Sequence, residues 1–197
     1  MRYAAMLLAC ALGTGTAGAD PTRPFTHDNP QVRLRPTTAL GRKVIDAGLA
    51  RSMTFRRLVQ RLESSDVIVY VQMRPNMPSE VGGLLEFMGR GGTNRYLRVS
   101  VGSLHHQNVM VALLGHELQH AAEVADAPDV QSPAAFAEFY RRIGLPTGAG
   151  RYDSLAAQTA GRTVQSELRG RPSDNRVARH AASEEGLLDS GGSIAMP

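Results

Sequence analysis

The chain has 197 residues, enough for one compact domain with a hydrophobic core. Its single cysteine, Cys10, lies in an apolar N-terminal stretch, so the rest of the chain can form neither disulfide bonds nor cysteine-ligated metal sites. The net charge is +4, but all of the 22 basic residues except Lys43 are arginines spread along the chain, and Trp is absent, so we expect no nucleic-acid partner.

The first residues have the organisation of a secretory signal peptide. One positive charge precedes an apolar run from Ala4 to Leu12, and a series of small residues ends at Ala19. The apolar run is too short to cross a bilayer, which takes about 20 residues. A lipoprotein attached at Cys10 would have an unusually short leader. We therefore predict a signal peptide over residues 1–19 and an exported protein, periplasmic or secreted, with no membrane span.

The remaining sequence divides into three parts. Residues 20–35 contain three prolines and predict an irregular lead-in. Residues 36–170 carry periodic apolar patterns and predict the folded domain. Residues 171–197 are polar, contain Gly and Ser without sustained periodicity, and predict a flexible tail.

Two helices begin the predicted domain. Apolar residues recur at helical spacing over 40–48 and again over 55–62. Ser52 or Thr54 is suited to cap the second of these helices. Runs of β-branched, aromatic or alternating residues then predict three strands, over 67–71, 83–88 and 96–101.

Three further helices are predicted, over 108–125, 132–143 and 154–168. The first of them is apolar nearly all round, so it should be the buried central helix. The order of helices, a small group of strands and then more helices predicts an α+β fold. We expect a small, mostly antiparallel sheet packed on the helix over 108–125, with the other helices after it.

His116, Glu117 and His120 lie within that central helix, in the order His-Glu-Leu-Gln-His. Two histidines four residues apart lie on one helix face, a turn apart, so both imidazoles can reach one metal ion. Glu117 is one step round the helix from the pair, where it can hold a water on the metal and take its proton. The alternative is two core histidines beside a surface Glu, but burying these groups without a shared partner is costly.

The segment Leu114–Ala122 resembles the active-site helix of zincin metallopeptidases, which carry the HExxH motif among uncharged residues. The resemblance implies a zinc-dependent hydrolase acting on peptides or proteins, with His116 and His120 as zinc ligands and Glu117 as general base. It also implies that the strand Tyr96–Val101 is the substrate-lining edge strand. The Gly-x-x-His continuation of the metzincins is missing, so the similarity is to gluzincins or aspzincins, whose third ligand is an acid further along.

Three acids compete to be the third zinc ligand. Glu123 shares the histidine face but lies a turn too far along, since a helix rises about 1.5 Å per residue, and it suits a bond to the spare nitrogen of His120. Glu138 has a gluzincin-like spacing, but its helical phase turns it away from the apolar face of its helix. Asp153 continues the apolar stripe of the helix over 154–168 and is the preferred ligand, although an Asp there also makes a good N-cap.

The sequence thus predicts an exported zinc-dependent hydrolase that binds zinc through His116, His120 and Asp153 and uses Glu117 as general base. The resemblance implies that this hydrolase is a peptidase. The alternative from another class is a non-catalytic zinc-binding or scaffold protein that retains the zincin helix.

Overall fold

The computed structural model describes residues 32–77, 82–148 and 151–170. The predicted signal peptide (1–19) and the predicted tail (171–197) lie outside the described residues, as does most of the predicted lead-in. The described ranges contain five helices and six strands, which confirms a mixed fold of helices and strands. In chain order these are β1 (Leu34–Pro36), α1 (Ala39–Arg51), α2 (Met53–Glu63), β2 (Val67–Arg74), β3 (Gly83–Gly91), β4 (Asn94–Gly102), α3 (Gln107–Ala125), α4 (Pro133–Ile143), β5 (Leu145–Gly148), β6 (Arg151–Asp153) and α5 (Leu155–Leu168).

Serine side chains fix where several helices begin. The Oγ atoms of Ser52, Ser132 and Ser154 each accept a hydrogen bond from a backbone N–H three residues on, at distances of 3.0, 3.1 and 3.0 Å. Such N-caps satisfy amide groups that have no partner inside the helix. Because α2, α4 and α5 each start directly after their serine, their first residues agree with the sequence prediction to within a residue or two.

The main sheet is mixed, so the prediction of a mostly antiparallel sheet is wrong. Its strand order is β1-β2-β4-β3, with β1–β2 and β2–β4 parallel and β3–β4 antiparallel. The two helices α1 and α2 lie between β1 and β2 and return the chain to the starting end of the sheet, which makes that pair parallel. The tight turn at Gly92, with φ +55°, joins β3 to β4 as an antiparallel hairpin.

The edge strand is also different from the one implied by the resemblance. β4, which contains Tyr96–Val101, lies inside the sheet between β2 and β3. Its residues Leu97, Val99 and Val101 are fully buried. The edge strand beside β4 is β3, which pairs only with β4 among the described residues. A strand's place in a sheet depends on pairing with distant segments, which the local pattern of β4 does not encode.

Helix α3 lies at the centre of the domain. It contacts β2, β3 and β4 on one side and α1, α2 and α5 on others. Glycines allow the α3–α5 approach, since a Cβ on Gly115 would lie only 2.9 Å from a methyl carbon of Val164. A Cβ on Gly161 would likewise lie 3.1 Å from the Cβ of His116. The close packing brings the start of α5, and the residue before it, beside the histidine face of α3.

A buried arginine holds the C-terminal end of α3. The Arg95 side chain is 3% exposed, and its guanidinium binds Asp66 at 2.6 and 2.8 Å. One of its terminal nitrogens also donates to the carbonyl oxygens of Val124 and Ala127, both at 2.7 Å. A cation is favourable there because the last carbonyls of a helix have no partner inside it.

No helix in the described part of the chain is both long and apolar enough to cross a membrane.

Candidate metal centre

Three side chains from two parts of the chain converge beside α3. His116 and His120 project from the same face of the helix. The Nε2 atoms of both imidazoles lie 3.2 Å from one oxygen, Oδ1 of Asp153. A set of one ligand atom from each residue lies within 4.8 Å of one another. The three residues that the sequence nominated as ligands are therefore close together.

Asp153 reaches this position by a route that the sequence reasoning did not foresee. It is the last residue of β6, one half of a two-stranded hairpin with β5, and it does not belong to α5. Ser154 performs the N-cap role that was the alternative for Asp153. The helical-phase reasoning that favoured Asp153 is therefore wrong, because the residue precedes the helix, even though the residue itself lies at the histidine pair.

The donor set fits a metal cation. Oδ1 of Asp153 is buried and has no hydrogen-bond partner, although it faces two imidazole nitrogens. Burial lowers the pKa of His116, which favours a neutral imidazole with a lone pair. Two imidazole nitrogens and one carboxylate oxygen around a common point are a typical catalytic zinc set, with the remaining positions open to water. A cation there would satisfy all three side chains.

His120 is fixed in orientation by its neighbours. Its Nδ1 lies 3.0 Å from Oε2 of Glu123, the contact that the sequence predicted for this acid. Oε1 of Glu123 accepts a hydrogen bond of 2.5 Å from Ser154. Tyr140 donates to the His120 carbonyl oxygen at 2.9 Å, and its ring packs edge-on against the imidazole. These contacts direct Nε2 of His120 towards Asp153.

The same contacts change the pKa values of His120 and Glu123. Burial alone would lower the pKa of His120, but the carboxylates of Glu123, Glu117 and Asp153 outweigh it and raise that pKa. Burial alone would raise the pKa of Glu123, but hydrogen bonds from His120 and Ser154 lower it. Glu123 is thus held as a carboxylate that accepts from both neighbours.

Glu117 lies on the inner side of the centre. Glu117 is 5% exposed. Burial raises its pKa, His120 lowers it and Asp153 raises it, which together give a pKa of about 7. The Glu117 side chain packs against Gly83 of β3, where a Cβ would overlap Oε1. The absence of a side chain at Gly83 therefore makes room for Glu117, a requirement that nothing in the local sequence signals.

A cleft of about 710 Å³ opens onto the centre. Its walls are the start of β3, the histidine face of α3, α4 and the β5–β6 hairpin. The side chains of His116 and Asp153 are 24% and 22% exposed, so they are accessible from the cleft, whereas His120 is 8% exposed. This volume is in the range of small-molecule and short-peptide sites.

Glu138, the alternative third ligand, lies elsewhere. Its side chain is 63% exposed and forms an ion pair with Arg141 on the surface of α4. It is not part of the group that could hold a metal. The helical phase of α4 predicted this outward direction correctly.

Neither a family model, nor a curated protein, nor a solved structure matches this chain. Its function therefore has to follow from the chemistry of the site.

Proposed function

We propose that the protein is an exported zinc-dependent hydrolase that cleaves amide bonds in peptides. In this proposal His116, His120 and Asp153 hold the zinc ion and Glu117 acts as general base. The observation that supports it is the convergence of both Nε2 atoms on the buried, unpartnered Oδ1 of Asp153, at 3.2 Å each, at the foot of an open cleft.

The chemistry needs a base beside the metal. When zinc is bound by such a set, it lowers the pKa of a water to about 7 and polarises the carbonyl to be attacked. Glu117 takes the proton of the attacking water and later gives it to the leaving amine. Glu117 is 5% exposed and directly follows His116 in α3, so its carboxyl group is held beside the proposed zinc ligands and away from bulk water.

The cleft supports an extended substrate. Its β3 wall is an edge strand among the described residues, so the outer backbone groups of β3 are open to pair with another strand. A peptide laid along β3 would pass the centre formed by His116, Glu117 and Asp153.

The first test is the metal content of the purified full chain, by elemental analysis at known protein concentration. We expect about one zinc per chain in the wild type and loss of zinc from Asp153→Ala. Glu138→Ala is the matched control, since it removes an acid from the neighbouring surface and should retain zinc. Full zinc content in Asp153→Ala would overturn the ligand assignment.

The second test separates catalysis from metal binding. Glu117→Gln should keep its zinc and lose most of its activity on a mixture of peptides, with cleavage products identified by mass spectrometry. Chelation should abolish wild-type activity, and zinc should restore it. A wild type that holds zinc and cleaves no peptide would instead indicate a non-catalytic zinc-binding protein.

A further inference from the structure

The two walls of the cleft differ in charge. The β3 wall contributes glycines and leucines, from Gly82 to Leu85. The opposite wall, built by α4 and the β5–β6 hairpin, contributes two guanidinium groups, those of Arg141 and Arg151. The acids that line the cleft, Glu117 and Asp153, both belong to the centre itself. The wall facing β3 is therefore positive.

The two arginines are not equivalent. Arg141 forms an ion pair with Glu138, which partly neutralises it. Arg151 is exposed, and the described part of the chain supplies it with no ion pair. Arg151 and Asp153 are two residues apart on β6, so their side chains lie on the same face of the strand, roughly 7 Å apart along it. The charge of Arg151 thus lies next to Asp153, and both residues line the cleft.

We propose that Arg151 binds a carboxylate group of the substrate, so that the cleft prefers peptides that carry a carboxylate within its reach. This inference rests on the proposed function, because it concerns the substrate of the same centre. A guanidinium group presents a planar pair of N–H donors that matches the two oxygens of a carboxylate. The carboxylate comes either from an Asp or Glu side chain or from the C-terminus of the peptide.

The test uses pairs of internally quenched decapeptides, one pair for each position, in which one peptide has Glu and the other has Gln at that position. Each peptide is made with a free and with an amidated C-terminus. The wild type should cleave the best Glu peptide with a kcat/KM about threefold to fivefold higher than its Gln partner, as expected for a charge pair at an exposed arginine. Arg151→Ala should lose this preference, and Arg151→Lys should retain part of it. If amidation lowers kcat/KM to the same extent and the Glu-to-Gln change has no effect, the recognised group is the terminal carboxylate.

The control variant is Arg57→Ala. Arg57 is an exposed arginine of α2 outside the cleft, so this variant lowers the net charge equally and should keep the preference. If Arg57→Ala loses the preference as Arg151→Ala does, the effect is one of overall charge, and the assignment to Arg151 is overturned.

Binding to Glu117→Gln, followed by fluorescence anisotropy with the same peptides carrying a single dye, separates this inference from the proposed function. Tighter binding of the carboxylate peptides, lost on adding Arg151→Ala, supports the inference even if the wild type cleaves nothing. Cleavage and binding without any carboxylate preference overturn the inference and leave the hydrolase proposal standing. If the protein shows no cleavage and no preferential binding, both the inference and the proposed function are overturned.

Discussion

The centre joins two regions of opposite character. Helix α3 supplies His116 and His120 from the middle of the core, and most of its residues are buried. The β5–β6 hairpin supplies Asp153 from the surface, and all four residues of β5 are exposed. Two of the proposed ligands are therefore held by the packing of the whole domain, whereas the third depends on local contacts. The hairpin is therefore the part of the site whose position the core supports least.

The largest expected effect is on the stability that α3 gives to the domain. Leu118 of α3 is fully buried between the two histidine turns, so Leu118→Ala should lower the free energy of unfolding by about 3 kcal/mol, through lost burial and a cavity. Leu145 of β5 is 49% exposed, and Leu145→Ala should change the free energy of unfolding by less than about 0.5 kcal/mol. Urea denaturation of both variants measures the difference. Equal losses would show that the hairpin is as much part of the core as α3.

The second prediction concerns the link between the two regions. Glu123 binds His120 of α3 and Ser154, the residue after Asp153. If zinc binds as proposed, Glu123→Ala should weaken zinc affinity by about 10- to 100-fold, because a hydrogen-bonded carboxylate orients the histidine ligand. Glu123→Gln retains an acceptor oxygen and should recover part of the loss. Competition with a zinc-chelating dye measures the affinity.

Glu86→Ala is the control for this prediction. Glu86 is a carboxylate of β3 that pairs with Arg98 and lies outside the cleft, so its removal should leave zinc affinity unchanged. A Glu123→Ala variant that is less stable but has wild-type zinc affinity would reduce Glu123 to a structural role.

The same contrast between helix and hairpin explains what the sequence could predict. The helices were found because their apolar period extends over several turns and because Ser52, Ser132 and Ser154 mark their starts. β1, β5 and β6 are three or four residues long, too short for an alternating pattern. The parallel pairing of β2 with β4 is a long-range property that no local pattern encodes.

The residues of the candidate site also differ in whether the sequence alone could predict their positions. The pair His116 and His120 follows from helical spacing alone, and so does the contact of Glu123 with His120. Asp153 was nominated by extending a helix into what is a strand, so its position required the fold. The space that Gly83 leaves for Glu117 also depends on how β3 packs against α3, which a sequence pattern does not contain.

A smaller effect concerns the far end of α5, away from the hairpin. Glu167 accepts hydrogen bonds from Ser52 at 2.5 Å and from the backbone and side chain of Thr54 at 3.1 and 2.9 Å. Its burial alone would raise the pKa, but these hydrogen bonds outweigh burial and lower the pKa of Glu167. Because the folded state prefers the carboxylate, the stabilisation is present above the ordinary Glu pKa and is lost as the pH falls through the lowered value.

Glu167→Gln should therefore flatten the acid side of the stability profile. Urea unfolding at pH 7 and at successively lower pH should show the wild type losing more stability than the variant, because the variant has no proton to take up at this position. The same acid dependence in both proteins would contradict the role of Glu167 in holding α5 to α2.

The smallest expected effect is on the peptide preference of the wall formed by α4 and the β5–β6 hairpin. Glu138 forms an ion pair with Arg141, which also lines the cleft, so Glu138→Gln frees a second arginine on the wall that carries Arg151. Exposed ion pairs are worth well under about 1 kcal/mol, so the preference for Glu over Gln peptides should rise only about twofold. Glu86→Gln makes the same charge change outside the cleft and should leave the ratio of kcat/KM values unchanged. A rise in both variants would attribute the effect to the overall field, and no rise in either would leave Arg151 as the sole carboxylate-binding group on this wall.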